Sequence, residues 1–543
     1  MNKIAHSTAF LFGAVQKVQH RSLQSGTLNN FLSNLVLCLE SRKGTGINMN
    51  NVYTIIIIVA YLTNLISVLS LLFFDKRNVA STLNWLMVFI FLPLVGFLLY
   101  FFLGSTVKFR LFSKKTDIEP LKKFSNYMLD DTIKRVEQRE LPLTAREKIL
   151  YNDVIELNAK SAESVYTVNN SVVLFPGAQE KYEALFEDIE NATESIHMLY
   201  FIIKTHDESG KHLVKLLAKK AAEGVEVRLI YDMLGFFGVK YSDFKELTDA
   251  GGMVYPFLPS VLRTLLQANY RMHRKLVIID GQIAYTGGIN IGDDYLGMDP
   301  KVKPWRDTSV KITGPAVMAL QLRFLTDWNY LDKQAPKRTR YSNWAGNREN
   351  LLNYFKAPEN KGEVGIQVLS SGPDTKYTLI KDSYVKMTMS AKRYLYIQTP
   401  YLIPDDILLN ALRLAVYSGV DVRIMIPGVP DKRFVYAATL SYVEQLLDYG
   451  IKIYCYKGFI HAKTFVIDDF IASIGSANVD VRSFNINYEL TTMMYNKEFA
   501  VQCKETFFND VKNSDELDKE SFSKRGAFQK LKESFWRLIT PIM

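Results

Sequence analysis

One segment of this chain is written twice. Met272–Asn290 reads MHRKLVIIDGQIAYTGGIN and His461–Asn478 reads HAKTFVIDDFIASIGSAN. His273, Lys275, Asp280, Gly287 and Asn290 therefore recur at the same spacing as His461, Lys463, Asp468, Gly475 and Asn478. A single copy fits a strand that happens to carry polar residues. Two copies with one spacing point to two related units that use these residues together.

The surroundings repeat as well. Ser195–Ile203 (SIHMLYFII) and Arg393–Ile403 (RYLYIQTPYLI) read as apolar strands. Helix-period segments follow and end at Gly224 and Gly419, where GVEVRLIYD and GVDVRIMIP begin further strands. Strand, helix, glycine stop and strand make a βαβ unit, which requires parallel pairing with helices layered on the sheet. The expectation is an α/β protein of two homologous lobes with mixed or parallel sheets, over 165–345 and 346–543, related by a pseudo-twofold axis.

Within MHRKLVIID, strand alternation puts His273, Lys275, Val277 and Ile279 on one face. A two-residue turn at Asp280-Gly281 predicts that Ile279 pairs with Gln282, Lys275 with Thr286 and His273 with Gly288. A turn at Asp468-Asp469 pairs Ile467 with Phe470, Lys463 with Ile474 and His461 with Ser476. Parity then sends Asp280 and Asp468 to the turns, away from the histidines, as turn-forming residues rather than direct acids or bases.

An imidazole titrates near pKa ~6.5, so one histidine can act as a neutral nucleophile while its twin is a protonated acid. Lysine ammonium and asparagine amide groups donate to the non-bridging oxygens of a phosphate. No dense carboxylate cluster accompanies either histidine, which favours phosphoryl transfer with no metal and no cofactor.

Two apolar blocks precede the lobes. Val52–Phe74 and Leu83–Leu103 carry no charge, and at about 1.5 Å per residue each can cross a bilayer core of roughly 30 Å. Pro93 kinks the second block without preventing a span. Arg42 and Lys43 before the pair, with Lys108, Arg110, Lys114 and Lys115 after it, make the outer flanks more basic than the loop holding Lys76 and Arg77. That asymmetry predicts a multi-pass protein of the cell membrane whose C-terminal region is cytoplasmic. Three cysteines, Cys38, Cys455 and Cys503, suit a reducing compartment. The net charge of +10 beside two spans favours anionic membrane lipid as the partner, and no interleaved aromatic and basic platform suggests nucleic acid. The expected order is an extension at 1–48 without periodicity, with the natural start at Met49, a hairpin at 49–110, a polar connector at 111–164, and the two lobes.

The repeated spacing resembles the HxKxxxxDxxxxxxG(S/G)xN signature of the phospholipase D superfamily, over roughly Val165 to the C-terminus. The resemblance implies two phospholipase D-like lobes whose histidines face each other. His273 is then the nucleophile that forms a phosphohistidine and His461 the general acid, with the reverse order left open. Lys275, Lys463, Asn290 and Asn478 would hold phosphoryl oxygens with help from Ser476, which Gly288 replaces in the first copy. Glu489 and Asp307 stand where the family has an acid that orients each histidine.

The two spans, KPWRDTSVKITGPAVMALQLRFLTDWNY and QTPYLIPDD further resemble the bacterial cardiolipin synthase branch. That likeness implies transfer of a phosphatidyl group between two phosphatidylglycerol molecules, with glycerol released and water excluded. A phospholipase, a phosphatidylserine-forming enzyme, a nuclease or a lipid-binding scaffold are the rival readings. Trp305, Trp328 and Tyr401 fit packing, Trp328 above all. The C-terminal SFSKRGAFQKLKESFWRLITPIM interleaves basic and apolar residues, as a membrane-surface helix or a helix packed on the second lobe would.

Overall fold

A computed structural model describes residues 49–73, 79–100, 119–235, 238–257, 269–334, 353–356, 361–375 and 377–540. The first lobe contributes β1 (Thr167–Phe175), β2 (Ser195–Tyr200), β3 (Glu226–Asp232), β4 (Met253–Phe257), β5 (Leu276–Ile279), β6 (Ile283–Gly287), β7 (Trp305–Arg306) and β8 (Ser309–Thr313). In the second lobe lie β9 (Val364–Ser371), β10 (Tyr394–Gln398), β11 (Leu402–Ile403), β12 (Asp421–Pro427), β13 (Lys452–Tyr456) and β14 (Phe459–Ile460). They are followed by β15 (Thr464–Ile467), β16 (Ile471–Gly475), β17 (Val479–Asp480), β18 (Glu489–Tyr495) and β19 (Ser514–Glu516).

Both lobes share one sheet, joined edge to edge by the antiparallel β1–β9 pair. Outward from that seam the first lobe runs β1-β8-β6-β5-β2-β3-β4 and the second β9-β18-β16-β15-β10-β12-β13, so one strand order occurs twice. The expected βαβ units are present: β2 and β3 are parallel, as are β10 and β12. Their helices, Glu208–Ala222 and Asp406–Tyr417, stop before Gly224 at φ +92° and Gly419 at φ +89°. A Cβ would meet nothing at either glycine, so it is the left-handed backbone rather than space that selects the residue.

Strands buried on both faces need two layers of helices. Helices Ala316–Gln334 and Lys497–Val511 supply Trp328, Phe324, Phe499 and Phe507 to a core shared by both lobes, with Leu276, Ile278, Val466 and Ile474. On the opposite face Val277 and Ile279 belong to a core of the first lobe and Phe465 and Ile467 to one of the second. The expected connector is built structure. It contains helices Glu119–Glu137 and Ala145–Ala162, the second started by a Thr144–Glu147 capping box. Asn158 on that helix is fully buried and bonds Gln367 and Tyr495 at 3.2 Å each.

The hairpin register differs by one residue from the sequence expectation. Ile279 pairs with Ile283, not Gln282, and Ile467 with Ile471, not Phe470. The Gln282 and Phe470 N–H groups still close onto Ile279 and Ile467, so each turn holds one residue more than expected before its return strand begins. The Asp280 N–H continues the pairing with β2 by donating to the Ser195 carbonyl, 2.8 Å. Its carboxylate accepts the N–H groups of Thr193, Glu194 and Ser195 at 2.8–2.9 Å. Asp468 does the same for Lys392, Arg393 and Tyr394. Each motif aspartate is thus a clamp from the turn to the start of the neighbouring strand.

Helices Met49–Phe73, Val79–Phe91 and Pro93–Leu99 fall where the hairpin was expected. The second block is two helices rather than one, because Pro93 cannot donate within the ladder. Among the described residues no helix is long and apolar enough to cross a membrane, so the spanning reading rests on the sequence. The extension at 1–48 lies outside the described residues.

Hydrogen bonding to the charged form holds the Asp280 carboxyl below its ordinary range despite the opposing effect of burial. Asp280→Ala is expected to cost about 1–3 kcal/mol, read as a lowered denaturation midpoint. The stabilisation conferred by the charge is present above the usual carboxylate pKa and disappears as pH falls through the depressed value. Denaturation curves for Asp280→Asn and wild type should therefore converge toward acid; a gap independent of pH would contradict the clamp.

Candidate active site

Each His-x-Lys stretch lies just ahead of its strand, in extended chain that has left the sheet. A buried ammonium needs acceptors, and each lysine turns back to its own histidine: Lys275 Nζ donates to the His273 carbonyl at 2.6 Å and Lys463 Nζ to that of His461. Both lysines and both histidines are buried.

The two lobes exchange their carboxylates. His273 Nδ1 meets Glu489 Oε2 of the second lobe at 2.9 Å, and His461 Nδ1 meets Asp307 Oδ2 of the first at 2.6 Å. Backbone pairing enforces the exchange. The His273 N–H donates to the Tyr488 carbonyl at 3.0 Å, and the His461 N–H to the Arg306 carbonyl at 2.6 Å. β14 runs parallel to β7, while Met272 bridges Tyr488 in the same sense. With Nδ1–H given to a carboxylate, Nε2 of each ring carries the free lone pair.

Burial, then Lys463, hold His461 down at about 4 against the pull of Asp307. Burial, then Lys275 and Lys463, lower His273 well below the ordinary range. Burial also brings Lys463 down to about 8 and pushes the Glu489 carboxyl up to about 7. Burial alone would raise Asp307, but His461, Lys463 and the Thr308 N–H keep it low. Desolvation and the neighbouring Lys275 and Lys463 thus oppose a positive charge on either ring.

Ser476 Oγ donates to Glu489 Oε2 at 2.5 Å and so belongs to the His273 pair, although it lies on the His461 repeat. Gly288, its counterpart, has no room for a side chain: a Cβ would stand 2.1 Å from Asp307 Oδ1. Asn290 is anchored, accepting from the Ile202 N–H at 3.1 Å and donating to the Tyr295 hydroxyl at 3.0 Å. Asn478 is buried, and its Oδ1 has no hydrogen-bond partner among the described residues. Asp280 and Asp468 sit at the turns and touch neither histidine. Trp328 packs in the shared core, Trp305 lies 5.4 Å from the His461 ring, and Tyr401 donates to Asp431 at 2.5 Å.

Several neighbours escaped the sequence reading. Asp232, at the end of β3, accepts the Met272 N–H at 2.9 Å and pairs with Arg271, which fixes the approach to His273. The repeat has Pro427 at that place, and this mismatch between two similar strands was the available signal. Arg306, inside the quoted PWRD, reaches Asp510 of the second lobe at 2.9 Å. Lys181 is buried behind Asn290 and donates to the Ile289 carbonyl at 3.0 Å. Nothing in its amphipathic helix marked it.

Repeated α/β lobes that bring two His-x-Lys segments into one basic site define a phospholipase D-like protein. The family model described as "Cardiolipin synthase, PLD-like domain" matches residues 185–316 and 384–511, and "Phospholipase_D-nuclease N-terminal" matches 62–105. The major cardiolipin synthase ClsA of Bacillus subtilis is 41% identical over 500 residues, covering 91% of this chain and 100% of that one. A cardiolipin synthase of Staphylococcus aureus is 39% identical over 505 residues, 92% and 98% of the two chains. The solved phosphatidylserine synthase of Haemophilus influenzae shares the fold, with a TM-score of 0.55 at 15% identity over 72% of this chain and all of that one. The chain belongs to the phospholipase D-like cardiolipin synthase family.

An anion bound between the two lysines offsets their charge, which raises both imidazoles from their depressed values. Binding of inorganic phosphate at about pH 6 should therefore take up protons. Calorimetry in buffers of different ionisation heat measures this uptake, and heats independent of the buffer would contradict the charge balance described here.

Proposed function

We propose that this protein transfers a phosphatidyl group from one phosphatidylglycerol to another, giving cardiolipin and glycerol. The observation that carries the reading is the crossed pair of histidines, each held through Nδ1 by a carboxylate of the opposite lobe in a site rich in ammonium groups. In the first half, His273 Nε2 attacks phosphorus. A P–N bond forms as the P–O bond to the glycerol headgroup breaks, and His461 gives the departing alkoxide a proton. In the second half, a headgroup hydroxyl of another phosphatidylglycerol gives its proton to His461 and attacks phosphorus, and the P–N bond breaks. The negative substrate supplies the charge that lets His461 carry a proton.

Lys275 and Lys463 each spend one hydrogen on a histidine carbonyl and retain others for non-bridging oxygens. Asn290 and Asn478 would add amide donors to the same oxygens, with one amide hydrogen of Asn290 already committed to Tyr295. Ser476 acts through Glu489. Asp307 and Glu489 orient the rings, and Asp280 and Asp468 hold the hairpins that carry them. Residues 49–110 serve as a membrane hairpin that delivers the lobes to their lipid substrates, with the basic flanks and the lobes on the cytoplasmic side.

Labelled phosphatidylglycerol tests the assignment. Cardiolipin with released glycerol supports the transferase, phosphatidic acid would make the protein a hydrolase, and inert lipid would leave a scaffold. His461→Ala is expected to reduce turnover by about 10²–10⁴-fold, and His273→Ala should abolish the acid-labile phosphohistidine trapped by rapid quenching. No metal enters these steps, so a chelator should leave turnover unchanged. A phosphorylated His461 in the wild type would exchange the two roles.

A further inference from the structure

The C-terminal helix Ala527–Ile539 is docked with its faces reversed. Its polar side meets the second lobe: Glu533 is buried and bonds Arg525, Lys530 pairs with Glu444 at 2.9 Å, and Arg525 reaches the same Glu444 at 3.3 Å. The Arg537 guanidinium lies 4.5 Å from the ring centre of Tyr442. The opposite side carries Phe528, Leu531, Phe535 and Leu538, which are 82%, 67%, 54% and 65% exposed. At a helical repeat of 3.6 these four form one stripe, turned away from Lys530, Glu533 and Thr540. A helix packed in the ordinary way would bury that stripe and present its charges to water.

Two further observations say what meets the stripe. The helix ends against the second apolar helix, where Asn84 Nδ2 donates to the Leu538 carbonyl at 2.8 Å. That helix, Val79–Phe91, itself exposes Leu83, Met87 and Ile90. The flanks of the stripe are basic, with Lys524 and Lys532 exposed. A second copy of the chain would bring the same basic flanks together, whereas a bilayer containing anionic lipid complements both the apolar stripe and the charge.

We propose that Ala527–Ile539 is an in-plane membrane helix. Its Phe528–Leu538 stripe enters the acyl region of an anionic leaflet, and the ion pairs with Glu444 fix the second lobe at a set height above the lipid. Together with the apolar helices near the N-terminus, it gives the catalytic unit a second attachment, so that the lobes are held at the surface rather than tethered at one end.

The full chain, with its cysteines replaced and Leu531→Cys carrying an environment-sensitive fluorophore, can be reconstituted in vesicles of phosphatidylglycerol and phosphatidylcholine. Brominated acyl chains should quench the probe and aqueous iodide should not, and the emission should shift to the blue as the phosphatidylglycerol fraction rises. Quenching by iodide but not by brominated lipid would overturn the proposal. Protection from both quenchers, with energy transfer between labelled copies, would also overturn it by assigning the stripe to a second copy. Leu531 is exposed, so the label leaves the packing intact, and the readout needs no turnover; it is separate from the fate of the proposed reaction.

Discussion

Neither lobe can hold its own histidine in place. The carboxylate that fixes His273 comes from β18 of the second lobe, and the one that fixes His461 from the segment between β7 and β8 of the first. Burying an imidazole and a carboxyl far apart would cost each its hydration, so the favourable geometry exists only when the lobes are closed on each other. The backbone bonds from the two histidine N–H groups to Tyr488 and Arg306 make that closure specific to the residue. The Arg306–Asp510 ion pair and the shared core under Trp328 and Phe507 then hold the two halves at fixed separation. Reactive groups thus depend on the lobe interface in the way that hairpins depend on their turns.

The pseudo-symmetry is broken at matching points. In one half a longer acid, Glu489, is accompanied by the hydroxyl of Ser476. In the other a shorter acid, Asp307, is packed against a residue with no side chain, Gly288. Each combination fills its space, and exchanging only one member would either crowd Asp307 or remove the hydroxyl donor from Glu489 Oε2. Lys181, buried in the first lobe, interacts electrostatically with Asp307. The two histidines therefore occupy different surroundings.

The repeat made the lobe architecture, the βαβ units and the paired His-x-Lys segments legible, because identical spacing constrains strands that alternate by two. The one-residue slip in the hairpins was not legible. A turn read from Asp-Gly alone ignores that Asp280 is bonded to β2, a strand far earlier in the chain. Glu489 and Asp307 could be located but not their exchange between lobes, since sequence order says nothing about which half faces which. The packing of the connector was not legible for a related reason: Asn158 lies in a polar stretch, yet its partners Gln367 and Tyr495 are 209 and 337 residues further along the chain.

The surplus of positive charge sets the proton balance of the site. Lys275 and Lys463 lower the histidines, and burial lowers the lysines in turn, so each cation makes the next more costly. A neutral ligand does nothing to relieve this. A phosphodiester brings one negative charge to the place where the four groups converge, and stabilises a proton on an imidazole at the same moment as it presents phosphorus to the other. On the proposed assignment the general acid would gain its proton as the substrate binds, when the added negative charge offsets the two lysines.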